Sequence, residues 1–336
     1  MIPHSKPAIG PEEARAVARV LESGQIAQGR EVAAFEEACA AFAGRRYAVA
    51  VNSGTAALHL ALIGLGVKPG DRVAVPSYAC AALAQAVRWA GADPVPCDVG
   101  ADGNLDAACV PSDVSAVIAA HLFGVPAALP PHPAVVEDLA QSFGRPASPP
   151  TRVAITSFYA TKMMTTGEGG MLLTDEEGIA DEARDLRDYD RRDDFKTRYA
   201  YKMTDFQAAM GRVQLSRLPE FVERRAALAA LYHEGLAGSP VLRPRMEGRV
   251  HYRYVIETPA REAMMTWLRE LGVGASRPVH LPLHRLAGGT CPQADLRHER
   301  ALSLPLYPAL ARREAEFVLQ SALAFLERAD GQRAGA

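Results

Sequence analysis

The chain has 336 residues, 49% of them hydrophobic, and its 37 lysine and arginine residues nearly balance its 39 aspartate and glutamate residues. This size and composition indicate a globular protein with one large core and a smaller second unit. The even charge argues against binding to nucleic acid or to a membrane surface, and neither a signal peptide nor an uninterrupted apolar span is indicated, so we expect a cytoplasmic protein.

Short apolar runs alternate with helical stretches over the first two thirds of the chain. Helix-like segments at 54–66 and 79–91 follow the first two runs. The predicted strands, several of them apolar on both faces, are 47–51, 71–76, 92–99, 114–124, 134–138, 153–159 and 170–175. This alternation predicts an α/β fold whose mostly parallel sheet is covered by helices on both faces.

The last part of the chain has a different pattern, with longer amphipathic helices. Its predicted elements are helices at 175–190, 203–236, 261–272 and 313–327 and a strand at 252–259. No linker rich in serine and glycine separates the two parts. We therefore predict a large domain over residues 1–238, which includes an N-terminal helical segment, and a smaller C-terminal α/β domain over 239–336.

The first candidate site lies where the strand ending at Val51 gives way to a helix. Ser53, Gly54 and Thr55 stand at this junction. The first turn of a helix offers unpaired backbone N–H groups and partial positive charge, which suit a phosphate. The alternative is an ordinary N-cap, because serine and threonine are favoured there without any ligand.

The second candidate site follows the strand 134–138. Asp138 ends this strand and Gln141 comes three residues later, so both polar ends can point into a crevice at the carboxyl edge of the sheet. The alternative is a helix cap after a strand.

The third candidate site is Lys162, in the segment SFYATKMMTTGEGG that follows the strand 153–159. A loop lysine is usually a solvated charge. Here, however, a phosphate site, an acid and a lysine all follow strands of one sheet. Pyridoxal phosphate needs these groups, because it carries a phosphate, a ring nitrogen that an acid keeps protonated and an aldehyde that condenses with a lysine.

Seven segments of the chain, which include these three candidate sites, resemble in their order a known family, the DegT/DnrJ/StrS sugar aminotransferases. They are NSGTAALHLAL, VPSYACAALAQAVRWAGADPVPCDV, HLFG, VVEDLAQSFG, SFYATKMMTTGEGG, YKMTDFQAAMGRVQLSRL and LSLPLYP. The N-terminal ESGQIAQGREVAAFEEACAAFAG is also similar to the opening of that family. The resemblance covers nearly the whole chain and implies the fold type I architecture of pyridoxal phosphate-dependent transferases.

The resemblance also implies roles for individual residues. Lys162 would bond to the cofactor aldehyde and move a proton, and Asp138 would pair with the ring nitrogen. Gln141 would lie by the ring hydroxyl, while Ser53 to Thr55 and Ser157 would hold the phosphate. The implied reaction moves an amino group from glutamate or glutamine to a keto-sugar, typically nucleotide-linked.

Four departures from the family pattern affect these expectations. An aromatic residue usually covers the cofactor ring where this chain has Cys80, two residues after Tyr78, and we retain both as candidate cofactor contacts. Ala200 replaces an asparagine that reaches the phosphate of the neighbouring subunit. The stretches 125–134 and 141–162 are shorter than the family usually has. We still expect a homodimer, because the helical stretch 204–236 has enough apolar surface to need a partner.

Several other interpretations stay open or are weaker. The same cofactor could serve a different reaction at an α-carbon, or the chain could be a non-catalytic regulator that keeps the fold. His121 could face the cofactor or be a satisfied core histidine. His280 and His284 have the spacing of a helical zinc pair, but Pro278 and Pro282 interrupt a helix there, and we predict no metal. The five scattered cysteines, without a CxxC motif, are typical of reduced thiols.

Overall fold

The computed structural model describes residues 1–144 and 151–334 and contains two sheets within these ranges. Seven strands form the large sheet, in the order β1-β7-β6-β5-β4-β2-β3, and β8 and β9 form a separate pair. The strands are β1 Tyr47–Val51, β2 Arg72–Pro76, β3 Asp93–Cys97, β4 Ala116–Ala120, β5 Val135–Asp138, β6 Val153–Ser157, β7 Gly170–Thr174, β8 Tyr254–Glu257 and β9 Ala301–Leu304. All the predicted strands are present. The run 114–124 is shorter than predicted, because β4 ends at Ala120 and a 3-10 turn follows over Leu122–Gly124.

The large sheet is parallel apart from one strand. β7 pairs antiparallel with both β1 and β6, so Gly170 at its start lies opposite Val51 in one neighbour and Ser157 in the other. The remaining pairs are parallel. The carboxyl ends of β1, β2, β4, β5 and β6 therefore lie at one edge of the sheet, which is where ligands bind in folds of this kind.

Helices cover both faces of this sheet, as predicted. The helices are α1 Pro11–Ser23, α2 Arg30–Ala43, α3 Gly54–Gly64, α4 Ala82–Trp89, α5 Glu177–Leu186, α6 Asp205–Gly235, α7 Arg261–Glu270, α8 His284–Ala287, α9 Pro292–Arg300 and α10 Arg312–Ala334. Side chains that alternate along β1 point to opposite faces of the sheet. Val49 and Val51 pack in one core beneath α3 to α5, and Ala48 and Ala50 pack in another beneath α2 and α6. None of the helices in the described ranges is long and apolar enough to cross a bilayer.

Helix α6 joins the two units of the chain. Leu215 and Leu218 pack in the core beneath the large sheet, whereas Leu228 and Tyr232 pack in the core of the C-terminal unit. The apolar face of α6 is covered by α1, α2 and α10 of the same chain. This helix therefore does not supply the exposed surface on which the dimer prediction was based, although the dimer itself stays a prediction.

The C-terminal unit is built from β8, β9, α7 and α10 around its own core. The start of the chain packs on this unit, since Ile2 forms a bridge with Val273. The boundary at residue 238 stays a prediction, because α6 belongs to both cores and the N-terminal arm lies against the smaller unit.

Candidate active site

A cavity of about 220 Å³ opens at the carboxyl edge of the large sheet. The cavity brings together every predicted site residue except Tyr78. The predicted residues in its wall are Ser53, Gly54, Thr55, Cys80, Asp138, Gln141, Ser157 and Lys162. Apolar side chains complete the wall, among them Leu58, Leu83 and Ile155.

Ser53, Gly54, Thr55 and Ser157, which we call the phosphate cradle, close one end of the cavity. The Ser53 hydroxyl caps α3 by accepting the N–H of Ala56 at 3.1 Å, so the predicted cap is present. The N–H groups of Gly54 and Thr55, in the first turn of α3, have no partner within the helix, and both residues line the cavity. A Cβ on Gly54 would lie 2.7 Å from the Cβ of Ser157. Glycine is therefore what lets the start of α3 and the end of β6 come close enough together to bind a small anion.

Asp138 lies on the floor of the cavity at the end of β5, with only 6% of its surface exposed. One carboxylate oxygen accepts the N–H of Ala140 at 2.8 Å. Burial raises the pKa of the Asp138 carboxyl above its ordinary value, while the Ala140 hydrogen bond and the charge of Lys162 act in the opposite direction. A cationic partner in the cavity would therefore relieve an unfavourable buried charge.

Gln141 is fixed in the cavity wall by the turn that follows β4. Its side-chain oxygen accepts the N–H of Phe123 at 2.8 Å. Phe123 has a left-handed backbone conformation with φ of 56°. The oxygen of Gln141 is thereby engaged, and its NH₂ group is the donor left for an oxygen of a ligand.

Lys162 is half-buried between the cavity and the C-terminal unit. Its Nζ lies 5.6 Å from the centre of the Tyr252 ring, within the range of a cation–π interaction. Its backbone N–H donates to the carbonyl oxygen of Tyr159 at 2.9 Å, which anchors the loop after β6. Lys162 is thus held by structure on both sides and is not a solvated surface charge.

His121 is a satisfied core histidine. Its Nδ1 accepts the N–H of Ala127 at 2.8 Å, so its proton is on Nε2, which lies 2.7 Å from a carboxylate oxygen of Glu137. Burial acts to raise the pKa of Glu137, but the hydrogen bond from His121 holds it below its ordinary value. Both ring nitrogens are engaged, which favours the core interpretation over a contact with a ligand.

Tyr78 packs away from the cavity, so its position does not fit the predicted cofactor contact. It is 1% exposed and lies in a separate cluster with Phe123 and Cys291. The reason is local: the chain turns after β2, and Ala79 and Cys80 face the cavity instead. The exposed thiol of Cys80 therefore occupies the wall where the family resemblance leads us to expect an aromatic ring.

His280 and His284 do not share a helix face, since α8 begins at His284. His284 instead contacts Ser77 through Nδ1 at 2.7 Å and Asp295 through Nε2 at 3.2 Å. In the part of the chain that the structure describes, no cluster of three or more His, Cys, Asp or Glu side chains is placed to hold a metal ion.

The cavity fits pyridoxal phosphate on grounds independent of the resemblance. Its wall contains the serine and threonine residues at the start of α3, which suit an anion, together with a buried carboxylate whose charge is costly without a partner and a primary amine. The apolar wall between these groups suits an aromatic ring.

Sequence reasoning missed three residues at or beneath this site. Tyr159 and Glu168 line the cavity, and Tyr252 lies against Lys162. Tyr159 and Glu168 lie within the segment SFYATKMMTTGEGG around Lys162, so their position in the sequence could have indicated them. Tyr252 is distant in sequence and gave no local signal, because its placement depends on how the C-terminal unit packs.

Known proteins are similar to this chain over nearly its whole length. The model of the DegT/DnrJ/EryC1/StrS aminotransferase family matches residues 7–322. DesV from S. venezuelae, solved in complex with a ketimine intermediate, is 33% identical with a TM-score of 0.87 and 94% of each chain covered. The aminotransferase TlmJ from Streptoalloteichus hindustanus is 30% identical with a TM-score of 0.88, covering 98% of this chain and 99% of that one. Helicobacter pylori PseC, an aminotransferase involved in the biosynthesis of pseudoaminic acid, is 20% identical with a TM-score of 0.90, covering 97% and 99%, and shares the fold. These similarities confirm the predicted fold.

Proposed function

This chain belongs to the DegT/DnrJ/EryC1/StrS aminotransferase family, and on that premise we propose that it transfers an amino group from glutamate or glutamine to a nucleotide-linked keto-sugar. It is an aminotransferase, and the groups in its cavity support pyridoxal phosphate as the cofactor. The product would be an amino sugar for polysaccharide or natural-product biosynthesis. We further propose that it works in the cytoplasm.

One observation carries the proposal: a single cavity contains Lys162, Asp138, Gln141 and the phosphate cradle. These groups come from the ends of different strands, so their meeting is a property of the fold and not of one local motif. Together they supply the amine, the acid, the hydrogen-bond donor for a ring hydroxyl and the anion site that the cofactor requires.

Each side chain has a distinct task in this site. The bound cofactor supplies an electron sink for the negative charge that develops at a carbon atom next to nitrogen. Asp138 would keep a proton on the ring nitrogen through a charge-assisted hydrogen bond. The amine of Lys162 would accept the proton that leaves the α-carbon of the donor and return it in the second half of the reaction. The NH₂ group of Gln141 would be the donor for the ring hydroxyl, and the phosphate cradle would hold the phosphate.

The wall of the cavity controls water. Leu58, Leu83 and Ile155 line it with apolar surface, so the proton on Lys162 is shielded from exchange with bulk solvent once the cavity is filled. Glu168 and Tyr159 also line it, and Tyr159 is 47% exposed, so we propose that they meet the substrate at the opening.

A homodimer also forms part of the proposal. Phe42, Trp89 and Phe195 are exposed by 40%, 48% and 108%, respectively, and we propose that a second copy of the chain covers exposed apolar side chains of this kind. Sedimentation of the purified protein tests this point, and a monomer that retains full turnover would contradict it.

The experiment for the whole proposal has two parts. The purified protein should be yellow, and borohydride should fix the cofactor on Lys162, as peptide mapping by mass spectrometry would reveal. Incubation with glutamate or glutamine should then release the corresponding 2-oxo acid and leave the amine form of the cofactor. Reduction on a different lysine would contradict the role of Lys162. If no 2-oxo acid is released from any amino donor, the result would favour another reaction of the same cofactor. A colourless protein would favour a non-catalytic role.

A further inference from the structure

Tyr252 stands beneath Lys162 although it comes from a different unit of the protein. It directly precedes Arg253 and β8, is 4% exposed and packs in the core that contains Met163 and Met164. Its hydroxyl lies 3.5 Å from the hydroxyl of Thr161, the residue just before Lys162. Tyr252 therefore contacts the lysine loop at two points, through its ring and through its hydroxyl.

Tyr252 is itself firmly held. Arg225 of α6 donates to the carbonyl oxygen of Tyr252 at 3.0 Å and to that of Leu306 at 2.8 Å. The guanidinium of Arg253 lies 5.0 Å from the centre of the Tyr252 ring and is held in turn by the ring of His4, at 2.9 Å from Nε2. A ring fixed in this way offers a constant surface to the flexible end of a lysine.

We propose that Tyr252 is a positioning residue for Lys162: its ring holds the lysine amine close to the cavity whenever that amine is not bonded to the cofactor. The inference rests on the proposed function, because it assumes that Lys162 is the cofactor lysine. The lysine must leave its bond and then act as a base on the same carbon framework. A fixed resting place limits the positions that the released amine samples, and misplacement by about 1 Å can cost about a hundredfold in rate.

The charges around Tyr252 support this coupling. Burial acts to raise the pKa of its hydroxyl, but the positive charges of Lys162 and Arg253, the hydrogen bond with Thr161 and the charge of Arg225 lower it to about 8. The amine of Lys162 is thus coupled both to the ring and to the hydroxyl of Tyr252.

The first test needs no cofactor. The tyrosinate absorbance of the cofactor-free full chain is titrated with pH, and the curve of Tyr252→Phe is subtracted to isolate this hydroxyl. We expect a midpoint near the lowered pKa of about 8, and we expect Lys162→Met to raise this midpoint by about one pH unit, because a nearby positive charge that stabilises the phenolate is removed. An unchanged midpoint in Lys162→Met would overturn the coupling.

The second test follows turnover of the loaded enzyme. Tyr252→Leu should lower kcat about tenfold to a hundredfold with little change in the KM for the amino donor, because the lysine loses its resting place and not its chemistry. Tyr252→Phe keeps the ring and should recover most of kcat. Wild-type kcat in Tyr252→Leu would overturn the proposal. If Tyr252→Leu does not fold, a loss of kcat in Tyr252→Phe as large as that expected for Tyr252→Leu overturns the role of the ring. Borohydride trapping on another lysine would instead refute the proposed function and leave the titration result standing.

Discussion

Gly54 and Ser157 meet so closely that a Cβ on Gly54 would lie 2.7 Å from the Cβ of Ser157 and 3.1 Å from its hydroxyl oxygen. Gly54 begins α3 and Ser157 ends β6, so this contact joins two separate parts of the phosphate cradle. Real Cβ atoms do not approach each other this closely. The start of α3 or the end of β6 would therefore have to move if any side chain replaced the α-hydrogen of Gly54.

Gly54→Ala should therefore weaken cofactor binding much more than it weakens the fold. The added methyl pushes Ser157 away from the cradle, and we expect the affinity for pyridoxal phosphate to fall at least about tenfold, equivalent to about 1.4 kcal/mol. Fluorescence titration of the cofactor-free protein measures the change. Gly178→Ala is the matched control, because a Cβ there meets no atom within 4 Å. It should leave cofactor affinity unchanged and stabilise α5 by roughly 0.5 kcal/mol.

Asp138→Asn should separate stability from catalysis. Burial raises the pKa of this carboxyl, so its ionised form is a cost to the folded, cofactor-free protein. Asparagine still accepts the Ala140 N–H and carries no charge. We expect the cofactor-free variant to melt at a higher temperature than wild type at neutral pH.

The sign of the pH dependence follows from that shift. An acid whose pKa is raised in the folded state costs stability above that pKa and costs nothing below its unfolded value of 3.8. The advantage of Asp138→Asn should thus disappear as the pH falls toward 4. Turnover should drop by orders of magnitude at every pH, because the ring nitrogen loses its anionic partner. Near wild-type turnover in stopped-flow measurements would reduce Asp138 to a structural cap.

Cys80→Phe should strengthen cofactor binding. Cys80 lines the cavity at the place where related proteins are expected to have an aromatic ring, and a stacked aromatic pair contributes about 0.5–1.5 kcal/mol beyond area burial. We expect pyridoxal phosphate to bind about twofold to tenfold more tightly. Cys80→Ala removes the thiol without adding a ring and serves as the control. Equal affinities for the two variants would mean that this wall does not face the cofactor ring.

His121→Leu should destabilise the protein by about 1–3 kcal/mol, because the buried Glu137 carboxylate loses the hydrogen bond from His121 and keeps only the longer contact with the Thr151 hydroxyl at 3.3 Å. Urea unfolding of the cofactor-free protein measures the loss. The pKa of Glu137 is lowered by this pair, so the contribution is present above the unfolded value of 4.5 and is lost as the pH falls through the folded value. Glu137→Gln can still accept from His121 and should cost much less. A His121→Leu variant as stable as wild type would contradict the core interpretation.

The sequence predicted what depends on local pattern. Apolar runs predicted all seven strands of the large sheet. The candidate residues Ser53, Asp138 and Lys162 were found at or shortly after the ends of three of those strands. The antiparallel direction of β7 left no such trace, because a buried strand has the same apolar pattern in either direction. It was also not possible to see that Tyr78 turns away from the cavity while Cys80 turns toward it.

Contacts between distant segments account for what was missed. The apolar surface of α6 looked available in the sequence but is covered by α1 and α2, which lie some 170 residues earlier: Asp205 at the start of α6 accepts the N–H of Gly29 at 2.7 Å, a separation of 176 positions. Tyr252 reaches Lys162 in the same non-local way. The periodicity of the sequence indicates neither of these two contacts, because each joins segments that are far apart along the chain.

The segment 249–252 packs against the turn Leu122–Gly124 that follows β4, and this contact bears on the order of events during synthesis. A Cβ on Gly124 would lie 2.0 Å from the carbonyl oxygen of Val250, and Arg249 donates to the carbonyl oxygen of Phe123 at 2.6 Å. A nascent chain that has emerged only through β7 already carries the lysine, the acid and the cradle, yet it lacks both the segment that closes this turn and the ring beneath Lys162. We therefore expect stable capture of the cofactor only after the final quarter of the chain has been translated, because this turn and Lys162 lack their supporting contacts until then.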